Sequence, residues 1–243
     1  MISHRKTIFI SDLHLDETRQ DMTQRFFDCL KQLDSSVDAL YILGDLFEAW
    51  IGDDNQTPFY HAVTHALKAV IAKGIPVYIL HGNRDFLIGK RFLRDSGCVL
   101  LPDESIVLLY HTPVLLMHGD TLCTHDLVYL RSRKKLRNRW IQTLFLLLPL
   151  SLRQYVANKM RAASTRHTQS STMEMMDVTQ TEVENRMQTH HIKFLIHGHT
   201  HRPAIHSFSL QGDEATRIVL GAWHTQGNML LWEETGEKKL VNF

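Results

Sequence analysis

The sequence predicts an α/β fold with mixed sheets, on three observations: short apolar, β-branched-rich runs recur along the chain, helix-like stretches alternate with several of them, and clusters of polar residues follow the run ends. Residues 7–10, 39–43, 76–80, 114–117, 194–196 and 217–220 are the runs, each read as a buried strand. Residues 21–33 and 58–72 are the helical stretches, and the second closes on Lys73-Gly74 as a helix C-terminus would. A hairpin-like run through residues 228–233 makes the sheets mixed instead of purely parallel. With 243 residues, 44% of them hydrophobic, the chain suffices for a single domain, 1–243, with a substantial core. No internal repeat or low-complexity linker interrupts it.

Composition narrows the function classes. Residues 1–6 lead straight into the first run with no apolar signal region, which places the chain in the cytosol. Cys29, Cys98 and Cys123 are odd in number and far apart, so neither a disulfide framework nor a thiolate metal site is expected. Net charge is +1, but ten of the 27 Lys and Arg residues fall in residues 127–173, where none of the 26 Asp and Glu occurs. Such a block seeks anionic partners.

That block also breaks the strand and helix rhythm. It is basic first, then carries the apolar run 144–150 (LFLLLPL), then becomes basic and Ser/Thr-rich. A bilayer span needs roughly 20 apolar residues, and Pro149, flanked by Gln142 and Arg153, leaves this run too short. Residues 127–173 are therefore read as a helical insert of two segments separated near Pro149, serving as an interfacial element or as a lid over a lipid-like ligand. The bland alternative is an amphipathic hairpin packed on the core.

The polar clusters carry the chemistry. In order they are Asp12-Leu13-His14, Gly44-Asp45, Gly82-Asn83-Arg84-Asp85, His118-Gly119-Asp120 and Gly198-His199-Thr200-His201, each following a strand. One alone would be an ordinary turn; five in sequence point to a site at one sheet edge. Carboxylate, amide oxygen and imidazole suit a borderline-hard divalent ion such as Mn²⁺. In extended loops residues i and i+2 point the same way, so Asp12 and His14 are expected to grip one ion while His199 and His201 reach two neighbours. Two ions about 3.5–4 Å apart need a bridging group, and Asp45 is the candidate. His61 and His65 read as surface residues, His81 and His197 as supports or core, and Glu48, Asp53 and Asp54 as solvated loop acids. For His224, after the run 217–220, loop-orienting and structural roles stay open.

This series resembles the calcineurin-like metallophosphoesterases, whose D-x-H, G-D, G-N-H-D/E, lone H and G-H-x-H motifs are met throughout except at Arg84. The resemblance implies a sandwich of two mixed sheets flanked by helices. It assigns one metal to Asp12, His14, Asp45 and His201, and the other to Asp45, Asn83, His118 and His199. Where relatives use a histidine to protonate an alkoxide leaving group, Arg84 keeps its proton and forks onto phosphate oxygens. That exchange suits a leaving group that is itself a phosphate.

Residues 82–85, 40–54 and 220–224 further resemble the bacterial UDP-2,3-diacylglucosamine pyrophosphohydrolases of lipid A biosynthesis. This similarity runs over essentially the whole chain. It implies two Mn²⁺ ions and water attack at the uridyl-side phosphorus of UDP-2,3-diacylglucosamine, releasing UMP and 2,3-diacylglucosamine 1-phosphate (lipid X). Catalytic roles then fall to Asp45, Asn83, Arg84 and His199. Substrate contacts fall to Asn83, Arg84, Asp126, Tyr129, Arg161, Ser164 and His199, with Thr168 and Ser171 departing from the residues usual in the insert. It implies association with anionic lipid on the cytoplasmic face of the inner membrane, without an obligate protein partner. Asp85 is either an orienter of Arg84 or a turn carboxylate, and Arg166 stands in for a missing lysine without having to share the face of Arg161 and Ser164. Two other functions compete: a phosphoesterase acting on a soluble nucleotide or phosphoprotein, and a non-catalytic scaffold. Nucleic acid is not expected, because Tyr129, Trp140 and Tyr155 are too scattered to form a stacking platform.

Overall fold

The computed structural model describes residues 4–170 and 177–243, and side chains at all of these except 167–170. Along the chain run β1 (Lys6–Ile10), α1 (Gln20–Gln32), β2 (Val37–Ile42), α2 (Pro58–Ala72), β3 (Val77–Ile79), α3 (Lys90–Ser96), β4 (Val99–Leu100), β5 (Glu104–Leu109) and β6 (Thr112–Met117). A 3-10 turn at Asp120–Leu122 leads into α4 (Leu127–Leu136), α5 (Arg139–Leu146) and α6 (Leu150–Ser170). Then come α7 (Gln180–Thr189), β7 (Phe194–His197), β8 (Ala204–Leu210), β9 (Asp213–Val219), β10 (Asn228–Glu233) and β11 (Lys238–Asn242).

Two mixed sheets stack between helices. The first has the order β11-β10-β1-β2-β3-β4 and the second β5-β6-β7-β9-β8. Alternation along β1 shows why they pack: Ile8 and Ile10 face the helices with Phe26, Val63, Leu67 and Phe92, whereas Phe9 faces the second sheet with Leu116, Ile196 and Ile218. On the far side Leu115, Met117 and Leu195 meet Val183 and Met187 of α7. Each fully buried aliphatic or aromatic side chain contributes roughly 1.5–3 kcal/mol of transfer free energy.

Local chemistry sets the helix ends. Thr57 accepts from the Tyr60 amide, and Pro58 occupies the first helical turn of α2. At its other end Gly74 takes φ +86, as the Lys73-Gly74 pair predicted. Lys73 Nζ donates to the carbonyls of Leu30, Lys31 and Leu33, satisfying the C-terminus of α1.

The basic block forms three helices where two were expected. The break near Pro149 is present, and a second falls at Arg137 and Asn138, where the Asn138 side chain accepts from the amides of Trp140 and Ile141 and restarts the helix as α5. Residues 171–173, including Ser171, lie outside the described residues, as does the Thr168 side chain. Arg153, only 2% exposed, ties α6 to the body by donating to the Ile51 and Leu148 carbonyls and pairing with Asp54. On α5 and just after it, Trp140, Leu144 and Leu147 are 81%, 66% and 76% exposed.

Candidate metal centre

All five polar clusters follow strands that have a parallel partner: β1, β2, β3, β6 and β7. The chain does not reach the site in extended form. Nine described non-glycine residues have positive φ, and five of them are Asp12, His14, Asp45, His199 and His201. Left-handed backbone at such residues costs of order 1–3 kcal/mol each and persists where the surroundings enforce it. Asp12 and His14 do meet in one donor group, with His201, while His199 reaches a second, but by alternating left-handed turns, which corrects the expectation of extended loops. The loops are laced together: His14 N donates to the Asp45 carbonyl, Leu15 N to Leu46, and Asp12 N to Gly44.

Two groups of donor atoms meet at one carboxylate. In the first, His201 Nε2 lies 3.3 Å from Asp12 Oδ1 and 3.4 Å from His14 Nε2, which is 3.8 Å from Asp45 Oδ2. In the second, Asn83 Oδ1 lies 2.9 Å from His118 Nε2 and 3.0 Å from His199 Nδ1, and His118 Nε2 is again 3.8 Å from Asp45 Oδ2. Asp45 Oδ2 thus stands between both groups, while its Oδ1 accepts from the Arg84 amide. Asp12 divides its oxygens likewise: Oδ2 accepts from Ser11 Oγ and the His199 amide, and Oδ1, buried, has no hydrogen-bond partner. His118 Nδ1 donates to the Leu43 carbonyl at 2.8 Å, which turns Nε2 into the site.

A buried oxygen without a donor, among imidazole nitrogens and carboxylates, fits a divalent cation. Asp12 with His14 and His201, and Asp12 with Asp45 and His118, each bring their ligand atoms within 4.8 Å of one another. The protonation pattern agrees. Burial raises the Asp45 carboxyl to about 6 despite His118 and His14 beside it. Burial opposes charge on His118, yet Asp45, Asp12 and Asp120 outweigh it and lift the imidazole to about 9. Burial, and then the charge of His118, lower His199 to about 4. Asp45 and His118 hold protons that a cation would displace, whereas His199 gives its proton up readily, as a ligating imidazole must.

Arg84 stands at the edge of this centre, with Nη1 3.7 Å from Glu48 Oε1 and a buried Nε without a hydrogen-bond partner. Asp85 does not orient it. That buried carboxylate accepts from the Gly82 and Leu46 amides at 2.8 Å each, and so joins the loops after β2 and β3. Glu48 is not solvated: its side chain is 15% exposed, Oε2 lies 3.1 Å from His14 Nδ1 though outside hydrogen-bond geometry, and Oε1 is 2.8 Å from Arg161 Nε on α6. Burial disfavours its charge, but His14, Arg84 and Arg161 hold the carboxyl below its ordinary value. Asp53 is likewise engaged, accepting from the Gly89, Arg91 and Phe92 amides at the start of α3, and Asp54 pairs with Arg153.

The remaining expected contacts divide. Tyr129 comes to the site, its ring 6.0 Å from that of His199, and its hydroxyl donates to Asp120. Asp126 caps α4 by accepting from the Tyr129 amide. Arg161 and Arg166 border one open hollow of about 520 Å³ with Asn158, Ala162 and Thr165. Ser164, half-buried, is not among its lining residues. His224 is exposed, its ring 5.2 Å from that of His201 and parallel to that of His14 at 6.5 Å, which places it beside the centre. His61 and His65 are exposed, and His197 is buried and donates to the Gly198 carbonyl.

Buried Asp120 was not singled out from sequence. It gathers Tyr129 and Arg133 of α4, and Arg133 continues to Asp103 at 2.9 Å. Arg137 donates to the Gly82 carbonyl at 2.9 Å, beside Asn83. An acid two positions beyond His118, met by Tyr129 and Arg133 at i, i+4 spacing on the first helix of the basic block, is the signal the sequence carries.

Residues 5–203 match the family model described as calcineurin-like phosphoesterase. Curated relatives called UDP-2,3-diacylglucosamine hydrolase are 53% identical in an Enterobacter species, 52% in a strain of Escherichia coli and 51% in Klebsiella pneumoniae; each aligns over 224 residues, 92% of this chain and 93% of the relative. A solved archaeal phosphodiesterase is 13% identical, covering 98% of this chain and 99% of its own, with a TM-score of 0.48, a likeness too loose to argue from.

Proposed function

The chain belongs to the calcineurin-like phosphoesterase family, and on that premise we propose that it hydrolyses the diphosphate of UDP-2,3-diacylglucosamine to UMP and 2,3-diacylglucosamine 1-phosphate with two Mn²⁺ ions. The observation that carries this is Asp45 Oδ2, equidistant at 3.8 Å from His14 Nε2 of one donor group and His118 Nε2 of the other. Asp12, His14, Asp45 and His201 would hold one ion; Asp45, Asn83, His118 and His199 would hold the second. When bound, such a pair supplies an acidified water and neutralises phosphate charge.

The chain's own groups do the rest. Leu43 and Asp85 fix the orientations of His118 and of the loops around Gly82, so the donors are set before substrate arrives. Arg84 offers its fork to the phosphate oxygens and stays charged throughout, which suits a phosphate leaving group that needs no proton. Arg161, Arg166 and the Tyr129 edge extend the anion-binding surface toward α6, with Ser164 and Asp126 as further substrate contacts.

The helices of residues 127–170 act as an insert over the site. Among the described residues no helix is long and apolar enough to cross a membrane. The exposed Trp140, Leu144 and Leu147 next to arginines instead support peripheral attachment to an anionic bilayer. Product analysis tests the assignment: turnover of UDP-2,3-diacylglucosamine to UMP and the sugar phosphate is expected. Faster turnover of a soluble nucleotide ester or a phosphopeptide would overturn it.

A further inference from the structure

Glu48 joins three side chains from separate parts of the chain, His14, Arg84 and Arg161. Its backbone is held by the hydrogen bond that its amide donates to the Leu15 carbonyl and by the bridge between Leu15 and Phe47, so the side chain projects from a braced loop. From there Oε2 stands 3.1 Å from His14 Nδ1, the ring nitrogen turned away from the donor cluster, a close charge contact that a small turn of the ring would make a hydrogen bond. Oε1 faces two guanidiniums from different parts of the chain: Arg84 of the body at 3.7 Å and Arg161 of α6 at 2.8 Å. Arg161 reaches one more carboxylate, Asp16, at 3.6 Å.

We propose that Glu48 is a positioning residue for both halves of the reaction, steadying the His14 ring through Oε2 while Oε1 holds Arg84 and Arg161 together over the mouth of the metal centre. A carboxylate opposite the outer nitrogen of a ligating imidazole sets ring orientation and basicity. The same carboxylate offsets the mutual repulsion of two arginines that would otherwise spread apart, so the phosphate-binding surface is assembled before substrate enters. Glu48 acts only through these groups. The inference rests on the proposed role of His14 as a ligand and of the arginines as phosphate contacts.

The test is Mn²⁺ titration of metal-stripped protein, read from the spin resonance of free Mn²⁺, with melting curves checking that each variant folds. Wild type should bind two ions. Glu48→Ala should weaken one of them by about 10- to 100-fold, the scale typical of losing an outer-shell partner, and leave the other unchanged because His14 serves one donor group. Glu48→Gln keeps an oxygen for His14 but loses the charge facing the arginines. It should retain near-wild-type Mn²⁺ binding yet raise KM about tenfold with kcat held. Unaltered Mn²⁺ binding in Glu48→Ala overturns the His14 role, and an unchanged or lower KM in Glu48→Gln overturns the arginine role. A wild-type protein that binds no Mn²⁺ would overturn the metal assignment beneath both.

Discussion

Gly82→Ala isolates the geometry on which the bridging carboxylate depends. A Cβ at Gly82 would come within 2.7 Å of the Asp45 carboxyl carbon and closer still to its Oδ1 and backbone nitrogen. Rotating Asp45 would relieve the side-chain clash only by withdrawing the bridging oxygen, and no rotation moves the backbone nitrogen, so the loops after β2 and β3 must separate. Overpacking of this kind costs about 1–3 kcal/mol, or roughly 2–4 °C in Tm per kcal/mol for a chain of this size. Displacement of reacting groups by about 1 Å costs on the order of 100-fold in rate. Gly74→Ala provides the comparison: Gly74 has φ +86 and nothing within 4 Å of its would-be Cβ, so it should lose about 1–2 kcal/mol from left-handed strain alone. Thermal melts and steady-state hydrolysis of UDP-2,3-diacylglucosamine should therefore show similar Tm losses and a kcat loss of about 100-fold in Gly82→Ala only. Wild-type kcat in a folded Gly82→Ala protein would refute the placement of Asp45 at the bridge.

Arg84→His restores the general family motif while forfeiting charge-assisted bonds worth about 1.5–3 kcal/mol, so kcat/KM on the diphosphate should fall about 10- to 150-fold; undiminished activity would dismiss the leaving-group argument. Arg133→Met strands the buried Asp120 carboxylate and should destabilise by about 3–5 kcal/mol in urea melts. Burial opposes the Asp120 charge, but His118, Arg133, His199 and Tyr129 hold its folded pKa below the unfolded value. That stabilisation is present above the unfolded carboxylate range and is lost as pH falls toward the lower folded value, so Arg133→Met should show a shallower acid-side loss of stability than wild type; parallel curves would exclude the ion pair as its source. Replacing Trp140 and Leu147 together by Ala should cut co-sedimentation with anionic vesicles about tenfold or more while leaving Tm unchanged, since each buries about 1.5–3 kcal/mol of apolar surface on docking; unchanged co-sedimentation would remove this face from membrane contact.

The parts of the molecule that obey local rules were legible in the sequence. Strand runs, the α2 boundary at Lys73-Gly74 and the order of the five polar clusters all follow from periodicity and turn chemistry, and the structure brings those clusters to one place. Strand β4 has only two residues, and β5 carries the apolar run 106–109, half of which (Ile106 and Leu108) the fold leaves exposed, so burial did not follow from apolarity there. Long-range pairing decided the rest. Glu48, Asp53 and Asp54 look alike as loop acids, and only the folded chain distinguishes a contact with His14 from a helix cap and from a partner of buried Arg153. For Asp85 the sequence leaves open an orienter of Arg84 and a turn carboxylate, and the amides that it accepts from are those of Gly82 and Leu46. The left-handed turns at Asp12, His14, His199 and His201 run against side-chain propensity and are enforced by the loops around them.

Hydrolysis of UDP-2,3-diacylglucosamine in heavy-oxygen water, followed by mass spectrometry of both products before and after Mn²⁺ is returned to metal-stripped enzyme, bears most directly on a two-ion centre bridged by Asp45. No product should form without metal; with Mn²⁺, one heavy oxygen should enter UMP and none the 2,3-diacylglucosamine 1-phosphate. Turnover by metal-free enzyme, or heavy oxygen in the sugar phosphate, would contradict the metal centre or the point of attack respectively.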